Sequence, residues 1–255
     1  MNTIRPPAVA GQFYPEDPKE LRKVVEHFLD LADLVKVNGK LKALIVPHAG
    51  YIFSGPVAAF GYKLATRDWT NKSHIFLLGP SHQVEISDPI GASFDFWQTP
   101  LGKIKAIDKI KDIKIFNPAH VYEHCLEVQL PFLQVILQEF TITPIVLNDF
   151  NESLVRRLTT SIEESDYIIV SSDLSHYHSY EKAVEIDTLA NQSIPQLDFE
   201  KTQRVEACGL AAILSLIKVA QAKRWQGKLL NYQNSGDTYG DKERVVGYGC
   251  YGFFE

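Results

Sequence analysis

Apolar residues recur along the chain in two periods, and the alternation between them predicts the fold. Asp17-Pro18-Lys19-Glu20 opens a helix, with Asp17 as N-cap and Pro18 at the first helical position. Leu21, Val24, Val25, Phe28 and Leu29 follow at helical spacing and give it one buried face. Four short runs rich in branched residues have the length of buried strands: Ala43 to Val46, Ile75 to Leu78, Ile142 to Leu147 and Tyr167 to Val170. Helical patterns cover Pro56 to Ala65, Glu123 to Phe140, Glu152 to Glu163 and Gly209 to Lys223. Strands that alternate with helices imply βαβ units, hence an α/β fold around a largely parallel sheet flanked by helices. The run from Val245 to Phe254 interleaves glycines with Val, Tyr, Cys and Phe and reads as a late strand where backbones or ligands approach closely. No repeat, low-complexity tract or linker divides the chain, so one domain over residues 1–255 is expected.

Composition agrees with a globular fold and removes several function classes. Of 255 residues, 45% are hydrophobic and 22% charged, which is ordinary globular usage. The net charge is −5 and the Lys and Arg residues are scattered, so the electrostatic footprint of a nucleic-acid binder is missing. Met1 to Pro7 is not followed by an apolar signal core, and no run has the length needed to cross a bilayer; a cytoplasmic location without membrane association is expected. Cys125, Cys208 and Cys250 then read as reduced thiols, each available as a metal ligand.

The histidines fall where chemistry is expected. Three strands run directly into loops that carry one: Pro47-His48-Ala49-Gly50-Tyr51, Gly79-Pro80-Ser81-His82, and Ser171-Ser172-Asp173-Leu174-Ser175-His176. The strand ends of an α/β sheet are its usual ligand edge. One such His is most often a hydrogen-bonded structural residue; three at equivalent strand ends point to a shared pocket. Glu123-His124-Cys125-Leu126-Glu127 is predicted to open the long helix with both acids on one face, where acids also simply stabilise a helix N-terminus. His124 is the better pocket donor. Gly79-Pro80-Ser81-His82 lacks the Gly-x-Ser-x-Gly form of a nucleophile elbow, which makes serine-hydrolase chemistry the least supported enzyme class. Gly50, Gly55, Gly79 and Gly209 flank the candidate ligands and are expected to allow close backbone approach.

Taken together, Gly11-Gln12-Phe13-Tyr14-Pro15, the Pro47 to Tyr51 loop, Gly79 to His82, Glu123 to Pro131 and Ser171 to His176 resemble the Memo family over nearly the whole chain. Memo proteins in turn resemble the catalytic subunit of class III extradiol dioxygenases. The resemblance implies a sheet-centred α/β fold with a non-haem metal at the strand ends, held by His48, His82 and, where the dioxygenases use a carboxylate, Cys208. A two-His, one-carboxylate triad suits Fe(II), whereas a thiolate is softer and admits copper or zinc more readily; Fe(II) or Cu is the favoured expectation, with Zn admitted. The same resemblance places His176 as a general base, Asp173 as a group orienting an imidazole, and His124 as a further pocket donor. His27, His74, His120 and His178 lie outside the shared pattern and are expected to be structural or solvated.

Three functions remain open at this point: a metal-dependent oxidoreductase acting on a small molecule, a non-catalytic module binding a peptide or partner through the same pocket, and a Zn-dependent hydrolase. Prokaryotic relatives are associated with a radical-SAM protein, which makes a pathway partner of that kind an expectation. A homodimer would be accommodated by edge strands and the aromatic C-terminus.

Overall fold

The four branched runs form the centre of one sheet. The computed structural model describes residues 3–255. In chain order its elements are β1 (Ile4–Arg5), α1 (Pro18–Leu31), β2 (Leu41–Val46), α2 (Tyr51–Asp68), β3 (Ser73–Gly79), β4 (Ile90–Gly91), β5 (Phe96–Thr99), β6 (Gly102–Ala106), β7 (Lys114–Ile115), α3 (Pro118–Val121), α4 (Leu130–Ile136), β8 (Phe140–Val146), α5 (Glu152–Ser161), β9 (Asp166–Ser171), β10 (His176–His178), α6 (Tyr180–Ser193), α7 (Phe199–Thr202), α8 (Leu210–Lys223), β11 (Gln226–Asn234), α9 (Ser235–Thr238) and β12 (Val245–Phe254).

The sheet order is β1-β5-β6-β8-β3-β9-β2-β12, with β10 and β11 both pairing to β12. Its four central strands, β8, β3, β9 and β2, are parallel, so their carboxyl ends share one edge. Antiparallel pairs surround them, at β2/β12, β11/β12 and β5/β6, which makes the sheet mixed as a whole. Pro144 sits inside β8, where a missing N–H would normally break a ladder. It falls in the gap where the partner changes, between pairing of Thr141 and Ile142 with β6 and of Ile145 and Val146 with β4.

Alternate residues of each central strand feed two cores. Leu44, Val46, Ile75, Leu77 and Ile169 pack on the side of α1, α2 and α4, whereas Ala43, Ile45, Phe76, Leu78 and Val170 pack on the side of α5, α6 and α8. Burial on both faces explains why these strands read as continuous apolar runs. Asp17 caps α1 through bonds from Lys19 N and Glu20 N, with Pro18 at its first position, as the sequence predicts. Among the described residues no helix is long and apolar enough to cross a membrane.

One predicted element is broken. Glu123 to Phe140 is not a single helix: a loop leads into one 3-10 turn, Glu127–Gln129, followed by the short α4, and β8 begins at Phe140. The Glu123 side chain accepts from the Cys125 backbone N–H, 3.0 Å away, a local bond that competes with helix formation. Pro131 then lies at the start of α4, where proline is tolerated. Glu123 and Glu127 consequently face different partners.

Candidate functional site

The parallel edge delivers the predicted side chains to one place. His48 leaves β2, His82 follows β3, Asp173 and His176 follow β9, and Cys208 immediately precedes the α8 N-cap, Gly209. One ligand-type atom each from His48, His82 and Cys208 lies within 4.8 Å of the others. Cys208 Sγ is 3.3 Å from His48 Nε2. The rings of His48, His82 and His124 pack together, with centroids 5.3 Å apart for His48–His82 and 4.7 Å for His82–His124.

Hydrogen bonding fixes which nitrogen of each ligand-type imidazole carries the proton. His48 Nδ1 is 2.9 Å from Ser171 Oγ. The single Ser171 hydroxyl proton goes to the Cys125 carbonyl, 2.7 Å away. Ser171 also accepts from Gln129 Nε2 at 2.8 Å, and the same nitrogen donates to the Pro47 carbonyl, while Tyr62 OH donates to Gln129 Oε1. With its own hydrogen committed, Ser171 can only accept from His48, so Nδ1 is the protonated nitrogen and Nε2 presents a lone pair. His82 is set in the same way: Nδ1 donates to Glu123 Oε1 at 2.9 Å, and its backbone N–H donates to Glu123 Oε2 at 2.6 Å.

Burial favours the neutral form of the His48 and His124 rings. Burial, with the neighbouring His82 adding to it, holds His48 down at about 3, and burial likewise holds His124 at about 4. Burial alone would raise the Glu123 carboxyl, but hydrogen bonds from the His82 ring and from backbone amides outweigh it and bring it to about 2. Glu123 is therefore a carboxylate that stabilises the His82 N–H. Burial and the adjacent Asp173 push the Cys208 thiol up to about 12 in the absence of a bound cation. Cys208 is placed by backbone bonds in both directions, from its N–H to the Asp173 carbonyl and from the Asp173 N–H to its sulfur at 3.3 Å. A Cβ at Gly209 would come within 2.7 Å of Ser172 Cβ, so the turn that presents Cys208 requires glycine. Gly50, by contrast, would meet nothing closer than 3.6 Å, and close approach does not explain it.

These groups form the base of a cavity of about 720 Å³, with Phe13, Phe53, Val246 and Tyr248 among its walls. His176 lines it, and its backbone N–H is held by Glu206 at 3.0 Å. Asp173 also lines it but does not orient an imidazole as expected: its carboxylate accepts the His48 backbone N–H at 2.7 Å, because the loops after β2 and β9 are adjacent in the sheet. The rings are oriented by Ser171 and Glu123 instead. Cys125 is buried beneath the site, its thiol against the Pro80 carbonyl. Glu127 turns away altogether, into an ion pair with buried Arg5, and it accepts from Ala8 N and Val9 N as well. His74 bonds Thr141 and Thr143, His120 bonds the Ile90 carbonyl, and His178 pairs with Glu206. The supporting roles of Ser171, Gln129 and Tyr62 escaped sequence reading because nothing in local spacing signals them.

The sequence is similar to known proteins over nearly its whole length. The family model described as "Memo-like protein" matches residues 5–251. A MEMO1 family protein of Ignicoccus hospitalis is 38% identical, with 98% of each chain covered. One from Sulfolobus acidocaldarius is 36% identical over 96% of this chain and 97% of its own. One from Aquifex aeolicus is 37% identical over 96% and 97% respectively.

Proposed function

The chain belongs to the Memo family, and from that premise we propose that it is a metal-dependent oxidoreductase in which His48 Nε2, His82 Nε2 and Cys208 Sγ hold one transition-metal ion at the base of the cavity. The observation that carries this reading is the pair of forced tautomers. Both imidazoles donate Nδ1–H to an oxygen, which leaves Nε2 of each ring as the unprotonated nitrogen, that of His48 in contact with the Cys208 sulfur at 3.3 Å. Metal-ligating histidines are typically set by such an outer hydrogen bond. The donor set fits Fe or Cu and admits Zn, since thiolate and imidazole are borderline-to-soft ligands.

A redox-active ion bound there would supply electron transfer and Lewis acidity to a substrate in the cavity. The remaining work falls to the chain. Glu123 and Ser171 hold the two imidazoles in place, and Asp173 locks the His48 backbone. Among the described residues the His176 ring makes no hydrogen bond, so a ring nitrogen is free to take a proton from a substrate hydroxyl facing the cavity. The His124 imidazole, kept neutral by burial, offers a second donor or acceptor beside His48. Phe13 and Val246 give the cavity apolar wall.

The test is elemental analysis of anaerobically purified protein, alongside His48→Ala, His82→Ala and Cys208→Ser. Near-stoichiometric Fe or Cu, lost in all three variants, is the expected result, together with metal-dependent O2 consumption in the presence of a reductant or a catechol panel. Zn instead of Fe or Cu moves the reading to hydrolysis. A wild-type chain that neither contains nor takes up metal overturns it in favour of a metal-free binding module.

A further inference from the structure

The cavity mouth carries a cation that the metal reading does not use. Arg244 lines the cavity and directly precedes β12. Among the described residues no carboxylate lies within ion-pair distance of its guanidinium. It lies instead over the Tyr177 ring, 5.1 Å from the centroid.

That stack is built by an irregularity in the sheet. In the β10/β12 ladder His176 pairs with Val246 and His178 with Val245, so Tyr177 is the extra residue between two consecutive pairs. Its φ is +62°, a left-handed conformation that bulky residues rarely adopt. A bulge of this kind re-aims a side chain. Here the ring is turned out to 64% exposure under the guanidinium. A stacked guanidinium keeps its in-plane N–H groups free for the two oxygens of one acid.

The walls below set the rest of the ligand. Phe13, Phe53, Val246 and Tyr248 are apolar or aromatic, and about 720 Å³ suits a small molecule. A fully polar anion such as inorganic phosphate would gain from Arg244 but would desolvate these walls for nothing. A neutral aromatic would gain from the walls and leave Arg244 to water.

We infer that the cavity takes an aromatic acid, its carboxylate on Arg244 at the mouth, its ring between the Phe and Tyr side chains, and its far end toward His48 and His82. The inference rests on the cavity being the working site of the proposed function, and it names that site's ligand class and a residue that selects it.

Benzoate and its neutral analogue benzamide serve as probes, titrated by NMR against the full chain after metal chelation, so that the carboxylate has no ion to bind. Wild-type protein is expected to prefer benzoate, Arg244→Gln to lower that preference about tenfold, and Arg244→Lys, which keeps the charge but not the two-pronged geometry, to fall between them. Equal binding of the two probes, binding of neither, or a preference that survives in Arg244→Gln would each overturn the inference. The same titration on metal-loaded protein separates the two readings. A chain that takes up no metal but prefers benzoate through Arg244 upholds this inference and sinks the metal reading. A chain that loads metal through His48, His82 and Cys208 but shows no preference does the reverse.

Discussion

The Ser171 hydroxyl stands 2.9 Å from Nδ1 of His48 while its own proton is committed to the Cys125 carbonyl. The last residue of β9 thereby dictates the tautomer of a side chain that follows β2, across one parallel strand pair. Ser171→Ala removes the acceptor and frees the ring to turn. Loss of an outer hydrogen bond of this type costs about 10–100-fold in metal affinity. Competition with a chelator measures it, and an unchanged affinity in a folded Ser171→Ala protein would contradict the assigned tautomer. The same variant leaves one of the two Gln129 Nε2 hydrogens and the Cys125 carbonyl without a partner, so a stability loss of about 1–3 kcal/mol should accompany it in urea.

Glu123 performs the equivalent service for His82 with a charge. Glu123→Gln keeps an acceptor for the His82 Nδ1–H but no negative charge, whereas Glu123→Ala removes both. Metal retention is expected to fall in the order wild type, Gln, Ala, with the Ala variant at least about tenfold weaker than wild type. Equal affinities for the Gln and Ala variants would mean that the carboxylate does not orient the ring.

How much of this could be read in advance follows from where the information lies. The strands at Ala43, Ile75, Ile142 and Tyr167 are buried on both faces, so their continuous branched runs were legible. β12 was legible to its ends, Val245 and Phe254, because its glycines alternate with aromatics. The strand-end histidines were legible for the same reason as the strands. β11 was not, since Gln226 to Asn234 is half polar and pairs only with β12 within the sheet. Leu126, Leu130 and Leu133 keep helical spacing through a segment whose backbone is interrupted, and only the fold reveals that the Glu123 side chain bonds the Cys125 N–H. The Ser171–His48 and Arg5–Glu127 contacts join residues more than a hundred positions apart, beyond any periodicity.

Arg5 and Glu127 form a fully buried ion pair that ties β1 to the segment carrying His124. Arg5 also donates to the carbonyls of His120 and Glu123 and lies over the Trp97 ring, 4.4 Å from its centroid. Removing one partner leaves the other charged and buried, which costs about 3–5 kcal/mol. Glu127→Leu is therefore expected to lose about that much in urea denaturation, and Arg5→Met with Glu127→Leu to recover a large part of it. A double variant no more stable than the single one would place the energy in the other hydrogen bonds of the two side chains, from Ala8, Val9 and Tyr14 to Glu127 and from Arg5 to the His120 and Glu123 carbonyls, rather than in the charge pair.

Far from the cavity, His74 should contribute its own share to the loss of stability in acid, alongside buried His48, His120 and His124. Its ring is buried between Thr141 and Thr143, with Lys109 and Asp166 as the nearby charges. Burial, reinforced by Lys109 and opposed by Asp166, lowers it to about 4. The unfolded chain protonates the same ring near its ordinary value of about 6.5, so between about pH 6.5 and 4 the unfolded state binds more protons than the folded one. Stability from this group is complete above about pH 6.5 and is lost as the pH falls toward 4, by roughly 2–4 kcal/mol. His74→Gln removes the titration. The variant should be less stable than wild type at pH 7, because two hydrogen bonds are disturbed, yet lose less of its stability on going to pH 4.5. Denaturant melts at a series of pH values read this directly, and parallel pH profiles for the two proteins would mean that His74 takes up its proton at the same pH in the folded and unfolded chains.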